Sequence, residues 1–216
     1  MTSPGLVLQN LCVTQHGSPI AALNVTVAPG NVLVVMGPSG SGKSTLLAAL
    51  IGALPPGFAM TGKIILNGVD VTHLPTAKRR IGILFQDDVL FPHLSVGQNL
   101  GFGLPPGSGS STQRRALIEQ ALGDADLAGF ANRDPATLSG GQRARVALLR
   151  TVLAQPQALL LDEPFSRLDA ALHSQIRQFT LKRAQKLHLP VILVTHDPQD
   201  AAASGGRVVS PMGTPV

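Results

Sequence analysis

VLVVMGPSGSGKSTLLAALI, residues Val32 to Ile51, reads as a strand, a glycine-rich loop and a helix in immediate succession. Val32 to Met36 is a short apolar run rich in β-branched residues, set off by Pro29-Gly30 before it and Gly37-Pro38 after it. It predicts a buried strand. Thr45 to Ile51 has helical composition, with an expected end near Gly52 and a stop at Pro55-Pro56. The loop between them matches the spacing G-x-x-x-x-G-K-[ST] in the strand-to-helix context that this spacing needs. Gly37, Gly40 and Gly42 have no Cβ, so the backbone can curl and turn its N–H groups onto an anion. The helix adds the positive end of its dipole at the same point. Lys43 is expected to reach the β- and γ-phosphates of a nucleoside triphosphate, and the Ser44 hydroxyl to ligate Mg²⁺. The candidate binding loop therefore comprises Gly37, Pro38, Ser39, Gly40, Ser41, Gly42, Lys43, Ser44 and Thr45.

A second glycine-rich loop, L-S-G-G-Q, runs from Leu138 to Gln142. Gly140 to about Leu153 reads as a helix with Ser139 as a good N-cap. A helix opened by a serine and two glycines is an anion site. One chain thus carries a phosphate grip to spare, which implies that a second copy supplies the missing half of each site.

The 216 residues suit one domain, or one domain with a sizeable insertion. Charged residues make up 13%, well below the roughly 25% of ordinary soluble domains. There is no apolar run near 18 residues, so neither a transmembrane helix nor a disordered tail is expected. Met1 to Gly5 shows no secretory signal, and Cys12 is the single cysteine, which fits a reducing cytoplasm. The net charge of +5 invites a nucleic-acid partner. The cations are scattered, however, and with no Trp or Tyr there is little to stack on bases, so no nucleic acid is expected.

Leu6 to Leu8 and Leu23 to Val27 alternate like antiparallel strands, and Gly62 to Val71 resembles a hairpin turned at Asn67-Gly68. Ile81 to Phe85 reads as another buried strand, ending at Gln86. From Asp87 to about Ala154 β character disappears, with a helix over Thr112 to Leu122, so 87–154 is expected to be a helical insertion. Sheet character returns at Ala158 to Leu161 and at Val191 to Thr195. The expected fold is α/β: a P-loop NTPase core at 1–86 and 155–216, mainly a parallel sheet with an antiparallel β subdomain, interrupted by an α-helical subdomain.

Asp162 ends an apolar strand, where a carboxylate can hold Mg²⁺ through its water shell. Glu163 beside it can polarise an attacking water as general base. Standing alone, Asp162-Glu163-Pro164 would be an ordinary polar turn; beside a phosphate loop that reading recedes.

Taken together, these residues resemble the ATP-binding subunit of a bacterial ABC transporter, over nearly the whole chain. The resemblance is carried by the loop at Gly37 to Thr45, Gln86 after a strand, L-S-G-G-Q at 138–142, Leu159 to Pro164, Ser166 to Asp169, and Thr195 to Asp197. It implies ATP and Mg²⁺ as the bound species. Gln86 would contact Mg²⁺ and the attacking water and link the site to the helical insertion. Ser139, Gly140, Gly141 and Gln142 would face the γ-phosphate bound by a partner copy, and Asp169 would communicate across that homodimer. His196 would hydrogen-bond the γ-phosphate and help orient the water. Leu90 to Val96 with Gln98-Asn99 is similar to import-type subunits, in which this region forms a groove for a short helix of an integral membrane permease; Phe91 and Pro92 also suit a plain core. A solute-binding protein would complete such a system, with the chain peripheral on the cytoplasmic face of the inner membrane. Family members place an aromatic residue ahead of the phosphate loop to stack on adenine, and His16 is the nearest substitute, so some GTP use is expected. The chain ends soon after Ser210, so inhibition through a C-terminal regulatory domain is not expected. Rival readings are an ABC-type ATPase acting on ribosomes or DNA, and a P-loop kinase or GTPase switch.

Overall fold

The computed structural model describes residues 5–166, 168 and 170–216, without the side chains of 170 and 171. Two compact units divide the chain: 1–83 with 157–163 and 181–216, and 84–156 with 164–180.

The first unit holds two sheets. In the antiparallel one the order is β2-β1-β4-β5, from strands β1 (Leu6–Gln15), β2 (Ser18–Val27), β4 (Phe58–Leu66) and β5 (Val69–Asp70). Strand β1 buries Leu6 and Leu8, then Leu11 and Val13. That switch from even to odd positions would turn half the set to solvent in a regular strand. A register shift between Leu8 and Leu11, where Asn10 takes φ +47°, resets the pleat and keeps all four on one face. Both hairpins close with two residues at positive φ, His16-Gly17 and Asn67-Gly68, the turn whose twist matches its strands.

The second sheet has the order β6-β7-β8-β3-β9, from β6 (Ile81–Leu84), β7 (Ala158–Asp162), β8 (Val191–Thr195), β3 (Val32–Met36) and β9 (Arg207–Val209). Strands β7 and β8, β8 and β3, and β3 and β9 pair in parallel. All five residues of β8 are buried, as expected of a strand covered on both faces. Register places Met36 beside Thr195 and Val194 beside Asp162. The carboxyl ends of three adjacent strands therefore line up, and open α/β sheets bind ligands outside such ends. Helix α1 (Lys43–Ile51) follows β3 and joins a core that includes Leu33, Val35, Leu46, Leu50, Leu160 and Ile192. Helices α2 (Thr76–Arg79) and α7 (Pro198–Ser204) are short.

The second unit contains α3 (Val96–Gly103), α4 (Ser111–Gly123) and α5 (Gly140–Leu153), around Val96, Leu100, Leu122, Leu138, Val146 and Leu149. Each of the three starts with a full capping box, Ser95 with Gln98, Ser110 with Gln113, and Ser139 with Gln142. In such a box the serine side chain accepts from the backbone N–H of the glutamine, whose side chain accepts in return. The unit boundary falls within helix α6 (Ala170–Lys186).

Three expectations need adjustment. The strand expected through Phe85 stops at Leu84, and Phe85 is exposed; β6 lies at the sheet's edge and is only partly buried. Strand β4 begins at Phe58, ahead of Gly62. Residues 164–180 group by their contacts with the helical unit.

Candidate active site

The glycine-rich loop leaves β3 at the sheet's carboxyl edge and enters α1 through Gly42, which has φ +90°. A Cβ there would sit 2.9 Å from the Ile20 carbonyl oxygen, so strand β2 closes the loop from one side and excludes any side chain. Helix α1 has no acidic residue in its first turn and no side-chain cap at its start. Its first N–H groups are thus left for an outside acceptor. The buried Ser41 hydroxyl in the same loop has no hydrogen-bond partner, and a buried polar atom without one is costly unless a ligand supplies it. A phosphate oxygen answers both deficits, so the loop fits a triphosphate.

Lys43 is 5% exposed. Its Nζ donates to the carbonyls of Gly37 (2.8 Å) and Pro38 (2.9 Å) and lies 3.5 Å from Glu163 Oε1. The ammonium therefore bridges the loop to the end of β7. The Ser44 hydroxyl donates to Asp162 Oδ1 at 3.3 Å. Burial raises the Asp162 pKa, the Ser44 hydrogen bond opposes this, the Glu163 charge adds to it, and Lys43 lowers it. A hydroxyl and a carboxylate this close are hard oxygen donors of the kind Mg²⁺ takes alongside phosphate oxygens and water.

Glu163 follows β7 with φ +46°, a sparsely populated backbone region that non-glycine residues hold at a cost. Its N–H donates to the Val194 carbonyl at 3.0 Å, which fixes the turn against β8. Its other oxygen, Oε2, accepts from His196 Nδ1 at 3.1 Å. His196 stands just past β8, where Thr195 Oγ1 accepts from the Asp197 N–H and donates to buried Asp200. The structure thus brings Lys43, Ser44, Asp162, Glu163 and His196 into one chain of contacts from residues 153 positions apart at the extremes.

His16 lies on the exposed tip of the β1–β2 hairpin. In the helical unit, Gln86 Nε2 donates to Ser166 Oγ at 3.1 Å. Ser139 and Gln142 turn their side chains to capping each other's backbone N–H groups, so an anion at that helix start would have to be met by the Gly140 and Gly141 N–H groups. A Cβ on Gly141 would collide with Leu172, whereas one on Gly140 meets nothing closer than 3.7 Å. Asp169 lies outside the described residues. Beside Gln86 a concavity of about 430 Å³ is lined by Asp88, Leu90, Pro92, Gly140 and Arg143.

Two buried residues carry weight that sequence reasoning did not assign them. Asn99 is fully buried; its side chain accepts from the Phe91 N–H (2.8 Å) and donates to the Phe91, Leu94 and Ser95 carbonyls (3.1 Å each). Arg79 is 5% exposed and donates to the carbonyls of Ala49, Leu50, Thr72 and Leu74.

The geometry defines a phosphate-loop nucleotide site with a carboxylate pair and a histidine at its open end. The family described as "ABC transporter" matches residues 20–166. The chain is 54% identical over 181 residues, 84% of its length and 83% of the relative's, to the uncharacterized ABC transporter ATP-binding protein YnjD of Escherichia coli. It is 43% identical over 187 residues to the sulfate/thiosulfate import ATP-binding protein CysA of a Synechocystis species, covering 87% of this chain and 52% of that one. Over 210 residues it is 40% identical to the putative 2-aminoethylphosphonate import ATP-binding protein PhnT of Salmonella paratyphi A, covering 94% and 55%. The chain spans about half the length of these two import relatives. It belongs to the ABC transporter family, among the ATP-binding subunits that hydrolyse ATP.

Proposed function

We propose that the chain is the ATP-hydrolysing subunit of an ABC importer, acting at the cytoplasmic face of the inner membrane on an integral permease fed by a solute-binding protein. The observation that carries the catalytic part is the Lys43–Glu163–His196 chain of contacts beside the Ser44–Asp162 pair. Import rests on the likeness to relatives named as import proteins. Among the described residues no helix is long and apolar enough to cross a membrane, which is consistent with a separate permease chain.

In this reading the loop's N–H groups and Lys43 hold the β- and γ-phosphates, with Lys43 exchanging its Glu163 contact for phosphate oxygens. Ser44 and Asp162 would hold Mg²⁺, which neutralises phosphate charge when bound. Glu163 accepts a proton from the attacking water as the new P–O bond forms and the bond to the β,γ-bridging oxygen breaks, releasing ADP and phosphate. His196 steadies the Glu163 carboxylate through Nδ1. Two copies arranged head to tail each present Gly140 and Gly141 to the γ-phosphate held by the other, so ATP favours the closed pair and hydrolysis releases it. Gln86 passes the state of the nucleotide to the helical unit, and the Leu90–Val96 region passes it to the permease.

Glu163→Gln tests the assignment. It should bind ATP normally, lose hydrolysis at least about a hundredfold, and accumulate an ATP-bound dimer in size-exclusion chromatography. Normal turnover in that variant would remove Glu163 from the base role.

A further inference from the structure

The loop that follows Gln86 contains a backbone strain that the chemistry above does not use. Val89 adopts φ +43°. A β-branched residue in the left-handed region is a genuine outlier, because its Cβ crowds the following carbonyl. Its side chain is also 57% exposed, so no apolar burial offsets the cost. Such a turn persists only where its surroundings over-determine it.

The restraint comes from helix α5. Arg150 Nη1 donates to the Val89 carbonyl at 3.0 Å, and Nη2 reaches the Asp88 carbonyl at 3.5 Å. The same guanidinium lies 5.3 Å from the centroid of the Phe91 ring, close enough for a cation–π contact. One planar fork thus grips both sides of Leu90. Arg143, two turns earlier on the same face of α5, stands 3.5 Å from Asp88 Oδ2. The backbone that carries Arg150 is seated closely against α3, where a Cβ on Gly103 would collide with the Arg150 carbonyl. Burial lowers the Arg150 pKa, the mark of a charge drawn partly out of water to reach these carbonyls. The Phe91 backbone is held at both its N–H and its carbonyl by Asn99.

We propose that Arg150 is a positioning residue of the ATPase cycle: its fork holds the Val89 turn in its strained form and so makes the loop after Gln86 a rigid extension of the helix that begins at Ser139-Gly140-Gly141-Gln142. The glutamine loop and the partner-phosphate loop then move as one piece within the helical unit. Without the fork, Val89 relaxes out of the left-handed region and Gln86 loses its fixed bearing on α5. This rests on the role given to Gln86 above.

The test is a double-mutant cycle on the purified full chain, with kcat for ATP, Kd for a fluorescent ATP analogue and the melting temperature read for each protein. Arg150→Met should lower kcat about tenfold and leave Kd within about twofold, because the phosphate loop is untouched. Glycine occupies positive φ freely, so in the Val89→Gly background the same Arg150→Met change should cost less than about threefold. A stabilising role alone would move melting temperature and give equal kcat losses in both backgrounds, and that outcome overturns the proposal. A rise in Kd that matches the fall in kcat overturns it too. If Arg150→Met does not fold, Arg150→Lys serves in its place, since a single ammonium cannot span both carbonyls. Gln86→Ala separates the two layers: unchanged kcat there removes the role of Gln86 itself, whereas a loss there with normal kcat in Arg150→Met removes only the clamp.

Discussion

Asp162 carries its charge against its surroundings: burial and the neighbouring Glu163 charge raise its pKa, while Ser44 and Lys43 compensate only in part. A carboxylate whose folded pKa lies above its unfolded one contributes stability below the unfolded carboxylate range, and loses that contribution as pH rises through the folded value. At neutral pH the ionised side chain is therefore a burden in the absence of a cation. Asp162→Asn should raise the melting temperature of nucleotide-free protein at pH 7.5 by roughly 2 °C, and the gain should shrink toward pH 4. A lower melting temperature at pH 7.5 in a thermal scan would contradict this account. His16 is the other residue whose role is open to a single measurement. Imidazole offers a base a smaller face than an indole, so ATP should be preferred over GTP by less than about a hundredfold. His16→Trp should tighten ATP binding about threefold or more. An unchanged Kd would mean that the hairpin tip does not meet the base.

At the scale of elements, what was legible in the sequence depended on how local its cause was. The strand, loop and helix from Val32 to Ile51 are written in adjacent residues, and the structure follows them closely. Capping boxes are equally local: S-x-x-Q stands at 95–98, 110–113 and 139–142, yet the sequence expectation includes only the cap at Ser139 and no helix at α3. Arg79 had no such signal. It looks like one of a basic cluster, Lys78-Arg79-Arg80, but its acceptors at Ala49 and Leu50 lie 30 and 29 residues away. There it satisfies carbonyls at the last turn of α1, the negative end of the helix that begins at the glycine-rich loop. Arg79→Met should cost about 3 kcal/mol or more, because the Leu50 and Thr72 carbonyls are left buried without the guanidinium and those of Ala49 and Leu74 lose a bond as well. Gly52→Ala should destabilise as well, since the new Cβ would meet the guanidinium carbon at 2.6 Å. Urea denaturation of both variants checks this, and a loss under about 0.5 kcal/mol for Arg79→Met would show that water replaces the guanidinium.

At the scale of the whole molecule, the sequence named the site residues of the core but not what brings them together. Nothing local says that β8 lies between β7 and β3; the parallel register that aligns Asp162, Thr195 and Met36 is a property of strand order. The helix start at 139–142 raises a question that one chain does not answer, because its first N–H groups could hold an anion while the phosphate loop has its own lysine and serine. Head-to-tail pairing answers it, and mixing variants tests it without assuming any detail of the interface. Lys43→Ala removes the phosphate-loop cation, and Gly140→Asp places a like charge where a γ-phosphate would approach, at a position with room for a side chain. Each variant alone should be inactive. In a mixed pair, one site combines both lesions and the other combines the intact phosphate loop of one chain with the intact glycine pair of its partner. An equal mixture should therefore regain activity to about a quarter of the wild-type rate, as half the pairs are mixed and half their sites are whole. Activity that stays at the level of the separate variants, in a mixture shown by cross-linking to exchange chains, would mean that each protomer completes its own site.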